Sequence, residues 1–175
     1  MISALLMFVL AACQDEDTVA PIQQQDAVQL MTIEETLASF TEQAEADEKD
    51  QSASRWGRKR PTYRTLTVAL ARTRLLSTVL RSELTLLAPS DKAFAALGIY
   101  PWNVGKVENL KDILLYHAID GKVKSTDLTE GYVNTVNGAS VRVSLDGGVF
   151  FNNAQVTKAD VHTRRGVIHF IDGVL

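Results

Sequence analysis

The sequence predicts a domain of mixed class, built from short helices and short strands, and three observations carry that expectation. Leu66 to Leu80 repeats apolar residues at helical spacing, with Val68, Ala71, Leu75 and Val79 along one stripe and Arg72, Arg74 and Arg81 turned outward. Leu84 to Gly98, LTLLAPSDKAFAALG, reads as strand, turn and helix. Residues 134–156, NTVNGASVRVSLDGGVFFNNAQV, offer hairpin turns at Asn137-Gly138 and Asp146-Gly147, with Val141, Val143 and Leu145 alternating against Arg142 and Ser144.

A chain of 175 residues with 46% apolar content has room for one domain plus an appendage. Its net charge of −3 conceals an asymmetry. Residues 14–54 hold 11 acids against one Lys, whereas residues 55–175 hold 17 Lys and Arg against 10 acids, which predicts an acidic tail on a mildly basic domain. The single cysteine cannot form an intrachain disulfide, so the fold must rest on packing and hydrogen bonds.

That cysteine closes the first element. Ile2 to Ala12 is an apolar run of 11 residues, too short for a bilayer span of about 20 residues but suited to a signal-peptide core. Leu10 to Cys13, LAAC, resembles the lipobox of bacterial lipoproteins. The resemblance implies a leader over residues 1–12, cleaved before Cys13, and a diacylglycerol on the Cys13 thiol. No Lys or Arg precedes Lys49, so the leader is expected to be truncated at its start. Asp15, Glu16 and Asp17 resemble the export signal of surface lipoproteins in Bacteroidetes, which implies the bacterial outer membrane, cell surface rather than periplasmic face.

Residues 13–61 form an acidic tether whose composition cannot bury enough apolar surface to order it. One stretch differs: Leu30, Ile33, Leu37, Phe40 and Ala44 recur at helical steps, and Thr32 with Glu35 makes a capping-box pair. The spacing predicts a short amphipathic helix near residues 33–46, docked on its own domain rather than forming a coiled coil. Arg55 to Pro61, RWGRKRP, gathers four cations and Trp56 at the join, a solvated hinge by composition.

The domain over residues 62–175 carries three ordered signatures. In the first, Leu84 to Leu87 form a strand closed by Pro89, Ser90 or Asp91 caps a helix, Phe94 and Leu97 point inward, and Gly98 ends the helix. The second is Leu110 to Val123, LKDILLYHAIDGKV, with its Tyr116-His117 pair; the third is Ala159 to Leu175, ADVHTRRGVIHFIDGVL. Together they resemble the fasciclin domain family. The resemblance implies an α+β fold, a wedge of two small β-sheets packed with several short α-helices, and makes Pro89, Asp91, Phe94, His117, Gly166 and His169 structural signature residues. Leu87 stands where the family often has Phe, and Arg165 where Asn commonly precedes the glycine; Asn there would tolerate positive φ, so a changed local turn is expected.

Catalytic chemistry finds little purchase. His117 follows Leu110, Ile113 and Leu114 on the apolar stripe of its helix, which predicts a neutral core histidine. His169 lies among Val167, Ile168, Phe170 and Ile171, where both strand faces are apolar, and reads as a core hydrogen-bond donor; His162 sits in a polar loop. No histidines share ligand-like spacing with a third ligand, so no metal and no cofactor is expected. Gly-x-Ser-x-Gly, the Walker pattern and Gly-x-Gly-x-x-Gly are absent. Nucleic acid binding is not expected either, since the charge is modest and the sequence shows no aromatic platform motif.

The expectation is therefore a non-catalytic module for cell adhesion or matrix binding, held to the membrane by a lipid anchor, with a cell-surface protein or an anionic polysaccharide as partner. In animal members the region around the Tyr-His pair is implicated in integrin contact. The candidate contact residues are Tyr116, expected to be exposed, and the cations Lys122, Lys124, Arg164 and Arg165. The alternative is a small-ligand carrier or enzyme using a pocket between the two sheets of the wedge.

Overall fold

The structure, a computed structural model, describes residues 31–49 and 61–175. The expected leader, Cys13, the tether up to residue 30 and Arg55 to Arg60 lie outside the described residues. The helices are α1 (Ile33–Lys49), α2 (Arg64–Arg72), α3 (Leu76–Arg81), α4 (Asp91–Ala96) and α5 (Leu110–Tyr116). The strands are β1 (Leu84–Pro89), β2 (Ala118–Asp120), β3 (Gly131–Asn134), β4 (Ser140–Ser144), β5 (Phe150–Phe151), β6 (Ala154–His162) and β7 (Val167–Ile171).

Seven strands run in the order β2-β1-β7-β6-β5-β4-β3, with β1 and β7 parallel and every other neighbouring pair antiparallel. β6 pairs with β5 at Ala154 and Gln155 and with β7 from Val156 onward, through two register irregularities. Such bulges bend a strand, which lets β6 serve both halves of the sheet. A bridge between Ile119 and Thr135, and the Val136 N–H donating to the Ala118 carbonyl at 2.8 Å, tie the two ends of this strip together. The α+β class and the wedge of two sheet halves follow from this geometry.

The period of two in β1 and β7 sorts the core. Leu84, Leu86, Ala88, Ile168 and Phe170 face the helices, joining Leu66, Leu70, Phe94 and Leu114. Leu87 and Ile171 face the other way, toward Ile119, Val141, Val143 and Phe151, so the two halves meet over a second apolar cluster. All six residues of β1 are buried because each of its faces has a core. In β4 the expected alternation holds for Val141 and Val143, but Leu145 lies past the strand end and is exposed.

α1 belongs to the first core. Ile33, Leu37 and Ala44 are buried, Phe40 meets Phe170 edge-on at 4.9 Å, and the capping box forms, with Glu35 N–H on Thr32 Oγ1 at 3.2 Å and Thr32 N–H on Glu35 Oε2 at 2.7 Å. The expected helical run over 66–80 is broken in two. Thr73 Oγ1 donates to the carbonyls of Ala69 and Leu70, at 2.9 and 3.2 Å, and Arg74 turns left-handed at φ 58°. A hydroxyl that bonds back to the preceding turn competes with helix propagation. The buried stripe is consequently Leu66, Ala69, Leu70, Leu75 and Val79, with Ala71 exposed.

α4 also departs from expectation at its end. Gly98 at φ 70° and the Ile99 N–H on the Phe94 carbonyl at 3.0 Å close it as a Schellman motif, in which the residue after the glycine makes the apolar contact. Ile99 therefore packs inward and Leu97 is 60% exposed, while Phe94 is buried as expected.

Candidate functional site

The three signatures converge on hydrogen bonds that hold elements together. Ser90 is the cap of α4, accepting from the Ala93 N–H at 3.3 Å. That leaves the Asp91 carboxylate free to cap α2, which has no side-chain cap of its own. It accepts from Thr65 N–H at 2.7 Å, Arg64 N–H at 3.1 Å and the Thr62 hydroxyl at 2.6 Å, placing an anion at a helix N-terminus. Among the described residues, the buried side-chain oxygen left without a partner is Thr65 Oγ1.

His117 is 1% exposed and terminates α5. Its Nδ1–H donates to the Ile113 carbonyl at 2.7 Å and its Nε2 accepts from the Leu175 N–H at 2.9 Å, while its own carbonyl takes the Leu87 N–H at 2.8 Å. An imidazole used once as donor and once as acceptor must be neutral. Burial, opposed by the bond to Ile113, pushes its pKa down to about 4.

Tyr116 is not exposed, as the sequence had suggested, but half-buried. Its ring rests on the second apolar cluster, and its hydroxyl donates to the Ser140 carbonyl at 3.1 Å and accepts from Asn152 Nδ2 at 3.1 Å. The Tyr-His pair thus joins α5 to β4 and the β5 turn through one residue and to β1 and Leu175 through the other.

His169, opposite Leu87 in the register, is buried on the second-cluster side. It donates from Nε2 to the Val123 carbonyl at 3.0 Å and accepts the Asp160 N–H on Nδ1 at 3.2 Å; burial lowers its pKa as well. The Asp160 carboxylate takes both the N–H and the hydroxyl of Ser125. Thr85 Oγ1 donates to Gly121 and accepts from the Val123 N–H, each at 2.8 Å. The segment after β2 is stapled by three side chains from three strands.

Gly166 is required by proximity, since a Cβ there would lie 2.1 Å from the Leu84 carbonyl oxygen. Arg165 keeps negative φ, so the turn does not need the left-handed conformation that Asn would favour. Thr163 closes the turn instead, its hydroxyl accepting the Gly166 N–H at 3.0 Å.

The four candidate cations do not gather into one unopposed patch. Lys122 pairs with Glu83 at 2.9 Å, and Arg165 donates to the Arg81 carbonyl at 3.0 Å. Lys122, and after it Arg165, hold the Glu83 carboxyl below its usual range. Arg164 is exposed, its N–H bound to the Met31 carbonyl at 2.8 Å, and its charge lies near Glu35. Lys124 is exposed beside the Ser125–Asp127 turn.

The space expected to hold a ligand, between the sheet halves, is filled by the second apolar cluster. A groove of about 350 Å³ lies elsewhere, lined by Phe40, Pro61, Tyr63, Thr157 and Lys158, with Lys158 Nζ 4.1 Å above the Phe40 ring. Among the described residues no group of three or more His, Cys, Asp or Glu could hold a metal, and no helix is long and apolar enough to cross a membrane. Sequence reading missed one exposed feature. Tyr100 and Trp102 stack with centroids 4.7 Å apart and planes within 2°. The signal was present as two aromatics around Pro101, but their parallel stacking depends on a loop geometry that periodicity does not reveal.

A mixed seven-stranded sheet carries two buried neutral histidines, His117 at the end of α5 and His169 within β7, whose ring nitrogens are bonded to backbone groups. Residues 61–175 match the fasciclin domain, and the chain belongs to that family. It is similar to Protein sll1483 of Synechocystis sp., 35% identical over 125 residues that cover 65% of this chain and 67% of the relative. It is similar also to transforming growth factor-beta-induced protein ig-h3 of Sus scrofa, 32% identical over 65% of this chain and 18% of the longer relative. Among solved structures, a FAS1 domain pair from the insect cell adhesion molecule Fasciclin I matches with TM-score 0.48 and 26% identity, over 63% of this chain and 43% of the other.

Proposed function

We propose that the chain is a bacterial envelope lipoprotein whose fasciclin domain acts as a non-catalytic module for cell adhesion or matrix binding. The observation that carries this reading is the fate of the signature side chains. Asp91, His117 and His169 are satisfied internally by N–H and C=O groups, so recognition falls to the surface. Family membership supports the adhesive role, and the LAAC motif at Cys13 supports a lipid anchor at the outer membrane, on the cell surface. The partner is a cell-surface protein or an anionic polysaccharide.

Labelling with a fatty-acid analogue tests the anchor. The wild-type chain is labelled and sediments with membranes, and Cys13→Ala is not labelled. Pull-down from native envelope extracts then tests the binding role: the full chain retains a specific envelope component, and absence of any specific retention refutes it.

A further inference from the structure

We infer that the loop between α4 and the 3-10 turn at Val104–Lys106 is a sugar-binding platform, on which Trp102 and Tyr100 stack the rings of an anionic, uronate-containing polysaccharide. This rests on the polysaccharide form of the adhesive reading and gives it a location.

The loop is held in place from both sides. Ile99 packs against the helical core on one side and Val104 is fully buried on the other. Between them the Asn103 amide bonds twice: its Oδ1 accepts the Tyr100 N–H at 2.6 Å and its Nδ2 donates to the Gly98 carbonyl at 2.8 Å. Val104 N–H closes the turn on the Tyr100 carbonyl at 2.9 Å, and Pro101 fixes φ at its centre. A loop so pinned presents its rings in one arrangement, and little conformational entropy is lost when a ligand settles on them.

Trp102 is 74% exposed and Tyr100 37%. One face of the indole is taken by the phenol ring; the stack presents flat aromatic surface beyond it. Aromatic faces carry negative quadrupole charge and attract groups of weak positive charge, such as the axial C–H bonds on one face of a pyranose.

Charge complementarity selects the polymer. The Arg72 guanidinium lies across Gly105, where an added Cβ would meet Nη1 at 2.6 Å, and Lys106 follows directly. Gly105 is three positions beyond Trp102, so its Cα lies within roughly 11 Å of the Trp102 Cα, and the cations border the same short loop as the rings, where a uronate carboxylate of a stacked sugar or its neighbour can meet them. Neither Arg72 nor Lys106 forms an ion pair among the described residues, where Lys122 is already matched to Glu83. A bilayer suits the patch less well, because the rings are stacked face to face rather than projecting as separate wedges.

The test uses the full chain with alginate, dextran and vesicles of phosphatidylcholine with phosphatidylglycerol. Calorimetry with alginate oligomers is expected to show saturable binding that weakens with salt, and dextran much weaker binding. Trp102→Ala lowers alginate affinity about tenfold or more with an unchanged far-ultraviolet spectrum. Trp102→Phe retains most of the affinity, and Arg72→Gln weakens binding and flattens its salt dependence. Replacing Lys122, Lys124, Arg164 and Arg165 together by Gln leaves affinity within about twofold. The platform is refuted if Trp102→Ala binds alginate like the wild type, if the quadruple variant alone loses binding, or if Trp102 is needed for vesicles but not for alginate. No alginate binding by the wild type, with specific envelope capture intact, removes the platform and leaves the adhesive reading standing.

Discussion

His117 makes the fold sensitive to acid in a way that can be calculated. In the unfolded chain its pKa is the ordinary 6.5, and burial lowers it to about 4 in the native state. Near pH 7 both states hold it neutral and folding carries no protonation penalty. Below pH 6.5 the unfolded chain takes up a proton that the native state refuses, so stability falls with falling pH until the native pKa is reached. At about 1.4 kcal/mol for each unit of pH, the full loss is about 3 kcal/mol. The structural reason is that an added proton on Nε2 would confront the Leu175 N–H at 2.9 Å. His117→Gln removes the titration while His169 continues to titrate in both proteins. Urea unfolding followed by circular dichroism is expected to show the variant less stable near pH 7 and the gap shrinking by about 2 to 3 kcal/mol near pH 4.5. Parallel pH profiles for the two proteins would refute the neutral, twice-bonded histidine.

Asp91→Ala removes the cap that α4 lends to α2 and is expected to lower unfolding free energy by about 2 kcal/mol, read from the urea midpoint. Gly166→Ala drives a methyl group against the Leu84 carbonyl and is expected to cost about 3 kcal/mol, with the pairing of β1 and β7 disturbed in amide exchange. Leu37→Ala is expected to destabilise the whole domain by about 3 kcal/mol, as a core residue does; an unchanged midpoint would return α1 to the tether.

Local chemistry made much of this fold readable. The Thr32 and Glu35 pair marked the start of α1, the apolar run ahead of Pro89 marked β1, and two glycine turns marked the hairpins of β3, β4 and β5. What stayed hidden depends on distant partners. Asp91 looks like a cap for its own helix, and only the fold brings α2 to it from 26 residues upstream. Tyr116 is the last residue of its helix, where spacing alone leaves it outward, yet Ser140 and Asn152 draw its hydroxyl across the wedge. Ile99 takes the inward place expected of Leu97 because a left-handed glycine reverses the chain between them. The cations were legible as residues but not as partners of Glu83 and of the Arg81 carbonyl.

The most direct test of the anchored, adhesive role is attachment of cells lacking the protein to their native matrix, compared with cells complemented by the wild type or by Cys13→Ala. The account predicts that loss of the protein lowers attachment, that the wild type restores it, and that Cys13→Ala does not although folded protein accumulates. Full restoration by Cys13→Ala, or unaltered attachment without the protein, would contradict it.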